Sequence, residues 1–196
     1  MKKIIGITGP SGAGKSTVSM AFRDYGAHVI DTDLTARKIV EKGKPAYNEI
    51  REFFGEGVID KNGEINRKAL AKIVFNSPEA LHKLNTITHK YIEEEIEKEI
   101  DIAKKDIIVI DAPALFESGI DKMCDKVICV IAKKEVRKER IISRDNLETG
   151  AAEERINAQK EDEFYIIKSD CHITNNGDEK ELIKRAKQII KEVQSE

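Results

Sequence analysis

The segment at residues 9–17, GPSGAGKST, constrains the fold of this chain more than any other stretch. Its first eight residues fit the pattern G-x-x-x-x-G-K-[ST] in full, and it follows directly on the apolar run KIIGIT at residues 3–8. Residues 15–25 then carry apolar side chains at the spacing of one helical face. A strand, a glycine-rich turn and a helix in this order predict an anion-binding loop, because glycines let backbone N–H groups point inward at a helix N-terminus.

The side chains of this loop favour a nucleoside triphosphate as the anion. Lys15 supplies positive charge for the β- and γ-phosphates, the Ser16 hydroxyl suits magnesium, and Thr17 can reach the α-phosphate. The alternative is a glycine-rich turn that only connects two elements. The predicted ATP-binding residues of the loop are Gly12, Ala13, Gly14, Lys15, Ser16 and Thr17.

A magnesium-bound triphosphate usually has a carboxylate nearby, at the end of a neighbouring strand. The apolar run IIVID at residues 107–111 supplies Asp111 at such an end. We therefore predict Ser16 and Asp111 as the residues that hold Mg²⁺. The alternative for Asp111 is a strand-end turn or cap.

The rest of the chain alternates short apolar runs with helical patterns, which predicts a parallel sheet with helices on both faces. This is a three-layer α/β/α fold. Two stretches interrupt the alternation. Residues 35–105 hold no strand pattern and indicate a helical insertion, and residues 133–168 are rich in charge and poor in large apolar side chains, which predicts a surface segment. The predicted strands are residues 3–8, 28–31, 107–111, 127–132 and 171–174.

Among proteins with this loop, the sequence favours a small-molecule kinase. A GTPase would carry N-K-x-D, which the chain lacks, and DKNG at residues 60–63 is predicted to be a turn. A motor ATPase normally needs a larger module. A small-molecule kinase needs an acceptor site, a base close to it and a mobile basic lid.

The candidate bases are Asp31 and Asp33, which follow the second predicted strand. The carboxyl ends of parallel strands form the ligand-binding edge of an open α/β sheet, so a carboxylate there can accept the proton of an attacking hydroxyl. The alternative is that Asp33 caps a helix beginning near Leu34.

The candidate lid is the basic stretch KKEVRKERIISRDN at residues 133–146. Arg137, Arg140 and Arg144 fall at i, i+3 and i+7, which places them on one helical face suited to phosphate oxygens. The alternative is a solvated face that pairs with Glu135, Glu139 and Glu148.

Composition limits the partners. The net charge is -2 with 36% charged residues, which predicts neither a nucleic-acid nor an anionic-membrane partner. Three cysteines without a C-x-x-C pair favour a reducing cytoplasm, and no apolar stretch is long enough for a membrane span. The sequence leaves open whether the chain is a monomer or a homo-oligomer.

Several stretches together closely resemble dephospho-CoA kinases. They include VIDTDLTAR at residues 29–37, IVIDAPALFESG at residues 108–119 and ITNNG at residues 173–177. The most distinctive lies between Asp60 and Phe75, where an acidic turn precedes Asn66-Arg67, a combination that generic nucleotide kinases lack. The similarity covers essentially the whole chain.

The resemblance implies transfer of the ATP γ-phosphate to the 3′-hydroxyl of dephospho-CoA, which gives CoA and ADP and is the last step of CoA biosynthesis. It implies a nucleotide-binding core at residues 1–35 and 101–196 and an acceptor-binding insertion at residues 36–100. The lid is then residues 133–165. The substrates are small molecules, ATP and dephospho-CoA.

The resemblance also assigns roles to single residues. The aspartate matching Asp33 is the base, and Arg37 and His89 match positions near the acceptor. Arg140 matches the lid arginine that reaches the phosphates, and Asn175 lies near adenine. The usual His-Pro of the family is His89-Lys90 here, so a helix is expected to continue, and Arg137 stands where a glutamine is often found.

Overall fold

The computed structural model describes residues 2–195 and divides them into two compact units. The first unit comprises residues 2–30 and 103–195, and the second comprises residues 31–102. The predicted insertion, residues 36–100, lies within the second unit. Residues 31–35, which the sequence analysis assigns to the core, also belong to the second unit.

A five-stranded parallel sheet forms the centre of the first unit, with the strand order β2-β3-β1-β4-β5. The predicted strands are confirmed, with β4 beginning and ending one residue earlier than predicted. Side chains of the central strands such as Ile7, Ile108 and Ile128 are fully buried, which explains why these strands read as continuous apolar runs. The strands are β1 Lys3–Thr8, β2 His28–Asp31, β3 Ile107–Asp111, β4 Lys126–Ile131 and β5 Cys171–Thr174.

The described residues form ten α-helices. They are α1 Lys15–Asp24, α2 Thr32–Lys38, α3 Pro45–Phe54, α4 Arg67–Phe75, α5 Pro78–Ile102, α6 Leu115–Ser118, α7 Lys134–Asp145, α8 Thr149–Asn157, α9 Asp162–Lys168 and α10 Glu179–Ser195. None of the helices within residues 2–195 combines the length and apolar character needed to cross a membrane.

Helices α1 and α10 pack together against the sheet. Val18 and Phe22 of α1 share one buried cluster with Ile189 and Ile190 of α10 and with the strand side chains. The predicted helical periodicity of both segments is thereby confirmed. Packing against the sheet and α10 therefore fixes the position of α1, at whose start the glycine-rich loop ends.

The basic segment at residues 133–168 is more buried than the sequence predicts, since its few large apolar residues indicated a segment at the surface. Its helices enclose a small apolar cluster of Ile141, Ala152 and Ile156, and Arg137 is only 1% exposed. The expectation is wrong because the few apolar residues of the segment, although apart in sequence, meet between α7 and α8. The segment is packed as well as charged.

After Asp31, which ends β2, the second unit is helical, and residues 32–102 form no strand beyond an isolated bridge between Ile59 and Ile65. The predicted turn at residues 60–63 is confirmed, with the Asp60 carboxylate accepting hydrogen bonds from the N–H groups of Asn62 and Glu64 at 2.8 and 2.9 Å. Asn66 caps α4 by accepting from the N–H of Ala69. The most distinctive stretch of the sequence thus begins with a turn and a helix cap.

Candidate active site

The glycine-rich loop packs so closely on its neighbours that its first glycine has no room for a side chain. Gly9 adopts φ +134°, and a Cβ atom there would lie 2.1 Å from the carbonyl oxygen of Val130 in β4. An L-residue would therefore meet both backbone strain and a clash with backbone that cannot move aside. The path of the loop is fixed by the sheet beside it.

We expect Gly9→Ala to lower the free energy of unfolding by about 2 kcal/mol or more, since both the strain and the clash must be relieved by moving the loop or β4. Chemical denaturation of the two proteins measures the difference. Gly177→Ala is the matched control, because Gly177 has ordinary φ and no atom within 4 Å of the added Cβ. Equal losses in both variants would contradict this account of Gly9.

The charged and hydroxyl side chains of the loop lie at the start of α1. The Lys15 ammonium group donates hydrogen bonds to the carbonyl oxygens of Gly9 and Pro10 at 2.8 and 3.2 Å, so it lies over the loop. Ser16 is exposed. Thr17 lines a cavity of about 330 Å³ between α1 and α10. These positions leave the cation and the Ser16 hydroxyl close to the surface that the loop presents.

Asp111 is joined to α1 by a residue that the sequence analysis did not select. The hydroxyl of Ser19, which is buried, donates to the Asp111 carboxylate at 2.6 Å and also lies 3.1 Å from the Lys15 carbonyl oxygen. Ser19 lies four residues after Lys15, so both are on the same face of α1. This spacing is the feature of the sequence that could have predicted a role for Ser19. The contact brings the end of β3 to the helix that carries Ser16.

Asn175 and Arg140, both predicted near the nucleotide, meet each other and the loop. The Asn175 amide is buried, donating to the carbonyl oxygen of Ala13 at 2.8 Å and accepting from Arg140 at 3.1 Å. Arg140 also donates to the carbonyl oxygens of Asn175 and Gly12 at 3.1 and 3.3 Å. A Cβ on Gly14 would lie 2.2 Å from the Asn175 amide nitrogen, so the two are in close contact. Arg140 and Asn175 together donate hydrogen bonds to the carbonyl oxygens of two successive loop residues, Gly12 and Ala13.

The other two arginines of α7 do not join Arg140 in one phosphate-facing row, so that prediction is wrong. Arg137 is buried and Arg144 is exposed, where it forms a two-bond ion pair with Asp145. The alternative is wrong as well, because no ion pair joins these arginines to the predicted glutamates within the described residues. The sequence spacing gives the angle between side chains, but it does not give the direction in which the helix packs.

In the second unit, Asp31 caps α2. Its carboxylate accepts from the N–H groups of Asp33 and Leu34 at 2.9 and 3.1 Å, and the helix begins at Thr32. The alternative that Asp33 is the cap is therefore wrong. Asp33 itself is exposed in the first turn, and its carboxylate has no hydrogen bond or ion pair to residues 2–195. Of the two candidate bases, only Asp33 has a carboxylate that is not engaged in capping.

Arg37 and His89, the predicted acceptor residues, both lie on helices of the second unit. Arg37 is exposed in the last turn of α2. His89 is half-buried in α5, which continues through Lys90 as predicted. Burial lowers the pKa of the His89 imidazole below its ordinary value, so the ring is neutral at pH 7 and can donate or accept one hydrogen bond.

A sequence model of the family described as dephospho-CoA kinase matches residues 3–181 of the chain. A dephospho-CoA kinase from Fusobacterium nucleatum subsp. nucleatum is 43% identical over 191 residues, which cover 97% of this chain and 98% of that protein.

Two solved structures resemble the whole fold. A crystal structure from Thermus thermophilus superimposes with a TM-score of 0.85 and 30% identity, covering 97% of each chain. A dephospho-CoA kinase from Campylobacter jejuni gives a TM-score of 0.72 and 30% identity, covering 98% of each chain. The family match and the length of the shared sequence lead to one conclusion: the chain belongs to the dephospho-CoA kinase family.

Proposed function

We propose that the chain transfers the γ-phosphoryl group of ATP to the 3′-hydroxyl of dephospho-CoA, giving CoA and ADP in the last step of CoA biosynthesis. The observation that carries this proposal is the family match, which extends over residues 3–181 and so includes the phosphate loop, the helical unit and the lid segment. The complete G-x-x-x-x-G-K-S sequence at residues 9–16 supports ATP as the donor.

In this proposal the first unit holds ATP. Backbone amides of residues 12–17 surround the phosphates, and Lys15 exchanges its contacts with loop carbonyls for the β- and γ-phosphate oxygens. The half-buried Arg140 and the buried Asn175 together hold the conformation of the loop. Arg140 also supplies positive charge as the γ-phosphoryl group leaves ADP.

Ser16 and Asp111 would hold magnesium. The donor set fits this ion, since hydroxyl and carboxylate oxygens are hard ligands, and Mg²⁺ in such sites takes few protein ligands beside water and phosphate. The Ser19 hydroxyl orients the Asp111 carboxylate. When bound, the ion neutralises charge on the β- and γ-phosphates.

The second unit would supply the base. The Asp33 carboxylate takes the proton of the 3′-hydroxyl while that oxygen bonds to the γ-phosphorus and the bond from phosphorus to the ADP oxygen breaks. Asp31 supports this role by fixing the turn in which Asp33 lies. Arg37 and neutral His89 are the proposed acceptor contacts.

The proposed partners are small molecules, and the proposed location is the cytoplasm. The free state of Cys124, Cys129 and Cys171 supports a reducing compartment. The near-balanced charge of -2 supports neither nucleic acid nor an anionic membrane as a partner.

The test is an acceptor panel. The protein is incubated with magnesium and ATP beside dephospho-CoA, nucleoside monophosphates or sugars, and products are identified by mass. CoA formation with no product from the other acceptors is the expected result. Phosphorylation of a nucleotide or sugar instead would overturn the acceptor. ATP binding with no phosphorylated product from any acceptor would indicate a nucleotide-sensing protein.

A further inference from the structure

Ser11, in the middle of the phosphate loop, is held by two side chains of the lid segment (residues 133–165). Its N–H donates to the Gln159 side-chain oxygen at 3.1 Å, and its carbonyl oxygen accepts from the Arg137 guanidinium at 3.0 Å. Arg137 also donates to the same Gln159 oxygen at 2.7 Å. The N–H and the carbonyl oxygen of one loop residue are thus held by a side chain of α7 and by one from the turn that follows α8. We call Ser11, Arg137 and Gln159 the loop clamp.

Arg137 is held in the clamp by a charge partner. Its side chain is only 1% exposed, and its guanidinium pairs with Asp162 of α9 at 3.2 Å. Burial lowers the pKa of Arg137, and the Asp162 charge opposes that shift. Because a guanidinium remains charged in proteins, the site keeps a buried cation, which is compensated by three hydrogen bonds to Ser11, Gln159 and Asp162, the last of which is this ion pair.

The backbone of α7 reinforces the same contact. A Cβ on Gly12, which has φ +80°, would lie 2.7 Å from the Arg137 carbonyl oxygen. The helix therefore touches the loop directly beside the residue that the clamp holds. A shift of α7 cannot leave the loop unchanged, because the side chain and the backbone of Arg137 contact two successive loop residues.

We propose that Arg137 is a positioning residue for the phosphate loop, which joins the conformation of the loop to the position of the lid segment through Ser11, Gln159 and Asp162. It touches loop backbone and acts on ATP through the loop amides. The proposal rests on the proposed function for the identity of the nucleotide. It predicts that loss of Arg137 weakens ATP binding by loosening residues 9–14 before any acceptor is bound.

Arg137→Met tests this, because methionine keeps much of the apolar volume and removes every donor. Hydrogen exchange by mass spectrometry, without nucleotide, is expected to accelerate at residues 9–14 while β1 and α10 stay protected. The dissociation constant for a non-hydrolysable ATP analogue with Mg²⁺ should rise about tenfold to a hundredfold, and KM for dephospho-CoA should stay within about twofold. Unchanged loop exchange together with unchanged analogue affinity would overturn the proposal.

Arg155→Met is the matched control. Arg155 also belongs to the lid segment and also pairs with an aspartate, Asp145, but its side chain is 47% exposed and it does not contact the loop. Its loss should change neither loop exchange nor analogue affinity. Equal effects in the two variants would show that any lid ion pair matters and would contradict a specific clamp.

Gln159→Leu keeps the test decisive if Arg137→Met folds poorly. It removes the acceptor of the Ser11 N–H while leaving the Arg137 charge and Asp162 in place, so the same loop amides should lose protection. The double variant should lose less than the product of the single effects, because both side chains act on one residue. Full multiplicativity would contradict a joint action of the two side chains on Ser11, and a fall in Tm with normal loop exchange would show that Arg137 serves stability alone. If the parent fails to bind the ATP analogue, the proposed function fails, and the exchange measurement still decides the clamp.

Discussion

Asp33→Asn is expected to lower kcat for CoA formation by about 10²–10⁴-fold, the range typical of a lost general base, and to leave the affinity for ATP unchanged. Asparagine has nearly the shape of aspartate but cannot take the proton of the 3′-hydroxyl. Asp33 contributes no cap bond from its side chain to α2, so the fold should tolerate the change. Steady-state rates with saturating ATP and dephospho-CoA give the comparison, with calorimetry for ATP binding.

Asp31→Asn is the control for that experiment. Asp31 lies two residues earlier in the same turn, and asparagine caps helices about as well as aspartate. Its kcat should stay within about threefold of the parent, since the cap is kept and no proton is handled there. A large loss in Asp31→Asn with a mild effect in Asp33→Asn would exchange the roles of the two residues. A mild effect in both variants would show that neither carboxylate acts as the general base.

Lys15→Met is expected to lower kcat/KM for ATP by about 10²–10³-fold, because it removes the cation that follows the charge of the β- and γ-phosphates. The protein should remain folded, since the Lys15 ammonium group bonds to carbonyl oxygens of the loop, those of Gly9 and Pro10. Initial rates at varied ATP measure the loss, and the thermal midpoint checks the fold.

Lys104→Met removes an exposed lysine of the same unit that lies outside the loop. This control measures how much the loss of one positive charge outside the loop weakens the long-range attraction of ATP. That attraction decreases as the ionic strength rises. We expect it to match the parent. If Lys15→Met also matched the parent, the loop would be a structural turn and the phosphate-binding account would be wrong.

The sheet was predictable because its strands are buried on both faces. Side chains such as Ile5 and Val109 are fully buried, and a run without alternation between polar and apolar residues is what such burial requires. The loop motif directly follows residues 3–8, so it also predicts that β1 is the strand that leads into the phosphate loop. The order of the five strands does not follow from these local patterns, because it depends on contacts between distant segments.

The lid segment was predicted less well. Spacing along α7 gave the angle between Arg137 and Arg140, yet the direction of the helix depends on its packing against the loop and α8. The contact of Gln159 with Ser11 joins residues far apart in sequence, so no local pattern predicts it. A buried arginine is rare, so a basic segment is ordinarily expected to be solvated.

At the start of α2, the sequence offered Asp31 and Asp33 as candidate bases and left open that Asp33 caps the helix, whereas the structure gives the cap to Asp31. Two aspartates two residues apart both suit a cap, and a boundary error of a residue or two decides between them. The helix begins at Thr32, which makes Asp31 the cap and leaves the Asp33 carboxylate exposed.

The central claim is that this protein moves the γ-phosphoryl group of ATP onto dephospho-CoA. The most direct measurement uses ATP with ¹⁸O in the nonbridging γ-phosphoryl oxygens and follows the label by mass spectrometry, with the phosphate position assigned by NMR. The account predicts that all three labelled oxygens appear in CoA, in the phosphate group that is bonded to the ribose 3′-oxygen. Label found in inorganic phosphate, with dephospho-CoA unchanged, would contradict it.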